Sequence, residues 1–321
     1  MTFSINKLCS SIVALFLISS GGALTLSSCV KDAEEPVMEK PGNDKPENDD
    51  PVEKPNDDPE DDPNENPGND PEIDNPDEEN PGDEIEIPEM FSDPMTYVIL
   101  PSNTPVQVKD YTGFTVNFNK DNHTPNYVAW ELTKSETSGS ANRNDYDFWQ
   151  DNDLEGCPTR DYAYSTSGYE RGHMCPAADQ KWSAQAMRDC MVMSNMCPQL
   201  PDINGKAWAT LESKERDWAK RDGAIWIIAG PIYDDSDQQR IGFSQVRVPS
   251  AFFKVFLYNK GDESRSIAFV YPNALAPGNM SEYAMSVDDL EKELGYDFFP
   301  ALPDEIENKI EATYDFNLWN K

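Results

Sequence analysis

The chain predicts an α+β fold built on a central antiparallel sheet, and three features carry that expectation. Two consecutive segments, TGFTVNF (112–118) and NYVAWEL (126–132), alternate apolar and polar side chains, the period of neighbouring strands. Helical three-and-four spacing is confined to a few segments interleaved among the strands and does not follow every strand, as a parallel sheet would require. Finally, no glycine-rich phosphate loop and no internal repeat occurs, which removes the usual doubly wound nucleotide-binding sheets.

Residues 1–28 read as a secretory signal: Lys7, an apolar run from Ile12 to Ile18, then small residues, with the run too short to cross a bilayer. Its end, Leu26-Ser-Ser-Cys29, is similar to a bacterial lipobox, in which the chain is cut before the cysteine and the thiol carries lipid. The alternative is an ordinary signal peptide cut near Ala23. Cys29 and the acidic residues just after it lead to the expectation of an outer membrane lipoprotein facing the cell surface, with a periplasmic or secreted protein as alternatives. Residues 29–89 form an acidic tether, with a proline every four or five residues among Asp, Glu, Asn and Gly. Such a composition has nothing to bury and repels itself into extended chain.

The 60 acids and 26 bases divide as 25 and 5 in residues 1–90 and 35 and 21 in residues 91–321, so −20 of the net −34 belongs to the tail and −14 to the remainder of the chain. Residues 90–321 are long enough for one sizeable core and are expected to form one domain. After the first two strands, a polar stretch from Thr133 to about Ser167 offers few core residues. SAQAMRDC (183–190) reads as a short helix. A longer one is expected to begin after Asn204-Gly205 and to run to Gly223, with Trp208, Leu211, Glu215 and Trp218 on one largely apolar face. AIWIIAG (224–230), AFFKVFLY (251–258) and SIAFVYPN (266–273) are apolar enough for central strands. SVDDLEKEL (286–294) has Ser286 and Asp289 at capping-box spacing and ends at Gly295.

Only two histidines occur in 321 residues, and His173 lies in YERGHMCPAAD (169–179). Imidazole titrates near pH 6.5, so a neutral histidine can take a proton from water. Arg171, two residues earlier, would leave the same face of a strand; its guanidinium fork suits phosphate, and its charge keeps the imidazole neutral. Downstream, INGKAWATLE (203–212) holds Asn204 and Glu212. If Asn204 starts the helix, the two residues are turned by about 80° and separated by about 12 Å of rise, facing alike but too distant to be adjacent ligands of one ion. A Mg²⁺ gripped by one amide oxygen, with waters filling its shell and the glutamate ordering one of them, fits that spacing. For Asn204 alone, a plain N-cap is the simpler reading.

YERGHMCPAAD resembles the Asp-Arg-Gly-His signature of the DNA/RNA non-specific endonucleases, whose site is a ββα-metal (His-Me finger) motif. SNMCPQ, INGKAWATLE, IIAGPIY, VPSAFFKV and FVYPN are similar to the family's later blocks and follow in the family's order, over about residues 110–275. The resemblance implies metal-dependent hydrolysis of DNA and RNA to 5′-phosphate products, with Mg²⁺ or Mn²⁺ as cofactor. It makes His173 the general base, Arg171 the phosphate-side arginine, Asn204 the metal ligand and Glu212 the carboxylate that orders water around the metal. Arg143, in ANRNDYDFW, matches a further transition-state arginine, and Asn195 and Gln199 match polar positions that support the site. Glu170 departs from the signature, which has Asp there, and leaves the local geometry open.

Cys157, Cys175, Cys190 and Cys197, outside the cytoplasm, predict up to two disulfides with three possible connectivities; 175–197 would staple the two halves of the site, and 190–197 is the local competitor. A zinc site made of His173, Cys175, Cys190 and Cys197 lacks the paired spacing of structural zinc. A net −14 repels nucleic acid at long range, so Arg143, Arg160, Arg171 and Arg188 are expected to form a local positive cleft. The competing reading is a lipoprotein that only binds, with activity lost; the presence of His173, Arg171 and Asn204 together speaks against it.

Overall fold

In the computed structural model the described residues are 98–160 and 163–321. The expected signal, Cys29 and the tether lie outside them. No helix among the described residues is long and apolar enough to cross a membrane.

The chain enters through β1 (Val98–Ile99), β2 (Gln107–Tyr111), β3 (Phe114–Asn119) and β4 (Thr124–Thr133). A long irregular stretch with one short helix, α1 (Ala163–Ser167), leads to β5 (Glu170–His173), α2 (Ala184–Asp189) and β6 (Met196–Gln199). Then come α3 (Ala209–Asp222), β7 (Ala224–Ile232), β8 (Arg240–Ile241), β9 (Val246–Arg247), β10 (Ala251–Tyr258), β11 (Arg265–Pro272) and β12 (Ala284–Met285). The last elements are α4 (Val287–Leu294), β13 (Asp297–Phe298), α5 (Asp304–Glu311) and α6 (Phe316–Trp319). Seven strands form one sheet in the order β12-β11-β10-β7-β4-β3-β2, antiparallel at every pairing. The α+β expectation holds, and each of the five expected strands lies within two residues of its observed bounds.

Alternation of side chains along the strands divides the core between two faces. On one, Val128, Trp130, Ile227, Phe252 and Phe256 pack against Trp208, Leu211 and Trp218. On the other, Tyr127, Ile228, Phe253 and Val255 pack against Val287, Leu290 and Ile310. The asparagines of the alternating segments are buried, although Glu131 is exposed: Asn126 Nδ2 donates to Asn117 Oδ1 at 2.9 Å, and the neighbouring Asn119 Nδ2 donates to Asn126 Oδ1 at 2.9 Å. Part of the alternation therefore marks an internal amide network. At α4 the capping expectation holds, with Ser286 Oγ accepting from the Asp289 N–H at 3.2 Å and Gly295 left-handed at φ 69°.

Two expectations need correction. Asn204 is not an N-cap: its N–H donates to the Leu200 carbonyl at 3.0 Å, and it lies inside a π-helical turn, Ile203–Trp208, that runs directly into α3. Nor are there disulfides among the described residues, because Cys157, Cys175, Cys190 and Cys197 are all free and buried. Cys175 Sγ accepts from Gln180 Nε2 at 3.2 Å, and Cys190 Sγ donates to the Met187 carbonyl at 3.1 Å. Burial pushes the Cys157 and Cys190 thiols up to about 12, so these thiols stay protonated in the apolar core.

The sheet is joined to α3 by a fully buried ion pair, Lys254 Nζ to Glu215 Oε2 at 2.8 Å. Lys254 lies on the α3 side of β10, with its ammonium 4.6 Å from the Trp208 ring centroid and 5.4 Å from that of Trp130. Removing one partner of such a pair strands the other charge in the core. Lys254→Met is therefore expected to cost about 3–5 kcal/mol in denaturant unfolding, while Lys254→Met with Glu215→Leu recovers most of the loss. A double variant no more stable than the single one would contradict this account.

Across the sheet, α4 and α5 gather carboxylates. Burial pushes the Glu311 carboxyl up to about 9, with Glu291, Glu307, Asp288 and Asp297 adding to it. The unfolded chain releases this proton in the ordinary carboxylate range, whereas the folded chain keeps it to about pH 9. The folded state therefore binds more protons between those limits, and stability falls as pH rises through them. Metal-free unfolding curves from pH 5 to 9 are expected to show that slope in the wild type and a flatter one in Glu311→Gln.

Candidate active site

β5 and β6 form a two-stranded antiparallel ribbon in which Glu170 faces Gln199, Gly172 faces Cys197 and His173 faces Met196. The chain leaves β6 and enters the π turn and α3, so two strands are followed by a helix, the order that the sequence resemblance implies. Gly172 is required by close approach: a Cβ there would lie 2.0 Å from Gln199 Oε1. The Gln199 amide is thus packed flat over the ribbon beneath the signature residues.

Arg171 and His173 share a face of β5, as their spacing predicts, and a third side chain organises them. The Phe148 ring lies 5.8 Å from the His173 ring, and its centroid is 5.0 Å from the Arg171 guanidinium carbon and 5.4 Å from that of Arg143. Arg171 Nη2 also donates to the Arg160 carbonyl at 3.3 Å. Arginine over an aromatic face gains about 0.5–1 kcal/mol at exposed sites, enough to bias a flexible side chain toward one orientation. Arg143, whose match was the loosest in sequence, is therefore brought to the same place as Arg171 and His173.

His173 Nε2 is buried and has no hydrogen-bond partner among the described residues. Burial pushes this imidazole down to about 3, and the positive charge of Arg143 adds to the shift, so the ring is neutral at physiological pH. Its backbone is held from two sides. The Trp208 indole N–H donates to the His173 carbonyl at 3.2 Å, and the Met174 N–H donates to the Asn195 carbonyl at 3.0 Å. The Asn195 side chain accepts from the Cys175 N–H at 2.9 Å and donates to the carbonyls of Cys175 and Cys190, each at 2.9 Å. With its donors and acceptor engaged by backbone, Asn195 positions the turn after His173 and is not itself a reacting group.

Asn204 Nδ2 donates to Glu170 Oε2 at 2.7 Å. The carboxylate that departs from the family signature thus grips the amide nitrogen from β5, which turns Asn204 Oδ1, a neutral oxygen donor, the other way. A π turn carries this residue, and such turns recur at functional sites because they re-aim one side chain out of an otherwise regular helix. Burial pushes Glu212 up to about 7, opposed by the charges of Lys254 and Arg216, reinforced by Asp179 and opposed again by a hydrogen bond to Trp208. The amide oxygen of Asn204 and the carboxylate of Glu212 are hard oxygen donors, the class of ligand that suits Mg²⁺ or Mn²⁺.

Sequence reading missed Phe148, Trp208 and Lys254. Phe148 is an aromatic in a polar stretch five residues after Arg143, and Trp208 reads simply as part of an apolar helix face. Lys254 has the clearest signal, a lone charge in AFFKVFLY that demands a buried carboxylate elsewhere. Loss of an outer partner that orients a metal ligand typically lowers metal affinity about 10–100-fold. Glu170→Ala is expected to shift the divalent-metal activation curve by that factor while leaving the melting temperature nearly unchanged, and an unshifted curve would remove Glu170 from this role.

The DNA/RNA non-specific endonuclease family matches residues 91–305. Mitochondrial nuclease EXOG of Danio rerio is 36% identical over 207 residues, 60% of either chain, so the match spans three fifths of that relative's length. A nuclease of Nostoc sp. is 33% identical over 214 residues, covering 63% of this chain and 76% of its own. Among solved structures, the EndoG/EndoGI complex matches with a TM-score of 0.58 at 25% identity, covering 62% of this chain and 88% of the other. With the family pattern spread over the sheet, the ribbon and α3 alike, the chain belongs to the DNA/RNA non-specific endonuclease family.

Proposed function

We propose that this protein is a divalent-metal-dependent endonuclease that hydrolyses phosphodiester bonds of both DNA and RNA. The observation that carries the reading is His173 Nε2, a buried, neutral imidazole nitrogen with no hydrogen-bond partner among the described residues, on a face shared with Arg171 and close to Arg143.

An imidazole held near 3 stays neutral but is a weak base. A phosphate drawn in by Arg143 and Arg171 brings negative charge beside it and raises its proton affinity, so basicity develops when substrate binds. His173 then takes a proton from water as its oxygen attacks phosphorus in line, and the bond from phosphorus to the 3′ oxygen breaks. The products carry a 5′-phosphate and a 3′-hydroxyl. Arg171 and Arg143 offset the charge that grows on the phosphorane oxygens. A divalent cation held through Asn204, with Glu212 ordering its waters, would stabilise charge on the non-bridging and leaving oxygens.

Beside Phe148 opens a cavity of about 500 Å³ lined by Tyr146, Trp149, Arg160 and Arg188 among others. Aromatic faces and guanidinium groups together suit bases and phosphates of a nucleic acid strand without reading sequence. Asp145 and Asp147 also line it, and Asp147 pairs with Arg160 at 2.8 Å, so the charge of this lining balances and local attraction in a domain of net −14 falls to Arg143 and Arg171. A lipid on Cys29 would hold such an enzyme at the cell surface, and a Cys29→Ser variant that stays in the membrane fraction would end that part of the reading.

The test is incubation of plasmid DNA and of RNA with the protein in Mg²⁺ or in EDTA, beside His173→Ala. Wild type with metal is expected to cut both, EDTA to stop it, and His173→Ala to lose about 10²–10⁴-fold. Intact substrates with wild type and metal would leave a protein that only binds.

A further inference from the structure

The face of the sheet opposite α3 holds a second cluster of ligand-type side chains. Asp288 and Glu291 on α4 and Glu311 on α5 each present a carboxylate oxygen, and these oxygens all lie within 4.8 Å of one another. Their surroundings grade from exposed at Asp288 through half-buried at Glu291 to buried at Glu311, which is 2% exposed. Glu291 Oε1 is fixed from its other side by the Phe298 N–H at 2.7 Å.

Glu311 is the independent indication of a ligand. Its Oε1 is enclosed and has no hydrogen-bond partner among the described residues. Among the described residues, no lysine, arginine or histidine forms an ion pair with Glu311, Glu291 or Asp288. The groups that act on Glu311 electrostatically, Glu291, Glu307, Asp288 and Asp297, are all acidic. A carboxyl buried among other acids and without a cation keeps its proton, as Glu311 does, and a bound cation would let it ionise.

We propose that Asp288, Glu291 and Glu311 form a Ca²⁺ site that clamps α5 onto α4, separate from the nuclease centre. Calcium accepts irregular sets of six to eight oxygen ligands, whereas magnesium demands a near-ideal octahedron, so carboxylates contributed by two helices with one side open suit calcium. All-carboxylate ligands exclude the softer metals, and the open side at Asp288 admits the waters that complete six to eight ligands. The ion would supply the positive charge that no side chain provides there. It would reinforce the tie that already holds the end of α5, Ser266 Oγ donating to the Ile310 carbonyl at 2.7 Å.

The experiment is thermal unfolding of the full chain and of Glu311→Gln in EDTA, in Mg²⁺ and in Ca²⁺ at equal concentrations. With Ca²⁺ at a hundred times its dissociation constant, the wild-type midpoint is expected to rise by about 5–10 °C, and with Mg²⁺ by clearly less. Glu311→Gln should unfold in EDTA at or above the wild-type temperature, which establishes that it folds, and should show no calcium shift beyond its magnesium shift. Any cation bound at the nuclease centre is common to both proteins and cancels in the comparison. Equal effects of Ca²⁺ and Mg²⁺ on the wild type, or a full calcium-specific shift in Glu311→Gln, would overturn the proposal.

Discussion

The contact between Lys254 and Glu215 is the constraint on which the site's geometry rests. A lysine in the middle of an apolar strand is tolerated only if a carboxylate meets it, and Glu215 on α3 does so at 2.8 Å with both groups out of water. The pairing sets where α3 lies on the sheet. That in turn places Trp208, which stacks near the ammonium and sends its indole N–H to the His173 carbonyl. The ribbon that carries Arg171 and His173 is thereby referenced to the rigid sheet through one ion pair and one hydrogen bond. Lys254 also opposes the burial that raises Glu212, so the same residue acts on both the position and the charge of the site.

Burial drives His173 and Glu212 in opposite directions on the pH scale, yet toward the same condition. The imidazole falls to about 3 and the carboxyl rises to about 7, so each is pushed toward its neutral form. A site poised in this way is completed by charges that arrive from outside. On the proposed mechanism, anionic phosphate would restore basicity to the histidine, and a cation would restore charge to the glutamate. Two ionisable groups with separated proton affinities are a recurring arrangement where one group must accept a proton and the other must stay charged.

Particular residues mark where the sequence was legible. His173 and Arg171 were placed on one face by strand alternation alone, because a period of two leaves no freedom once the ribbon forms. The Ser286 cap and the Gly295 stop of α4 were equally local. The start of α3 was not: Asn204 looks like a cap, but Glu170 from a neighbouring strand claims its side chain, and the helical hydrogen bonds begin before it at Leu200. The cysteines misled for a related reason. Their even number suggested bridges, while the fold buries each thiol in the core, where Cys175 and Cys190 find other hydrogen-bond partners.

The sequence by itself determined the class of fold, the strands, and which residue types would do chemistry, since those depend on periodicity and on intrinsic proton and metal affinity. Only the tertiary structure decided how these residues meet: that Phe148 would gather Arg143, Arg171 and His173, that Glu170 would aim Asn204, and that three carboxylates from α4 and α5 would converge on the far face. The reason is physical. Side-chain chemistry is carried by one residue, whereas orientation, burial and the resulting shifts in charge come from neighbours distant in the chain, and no local pattern encodes them.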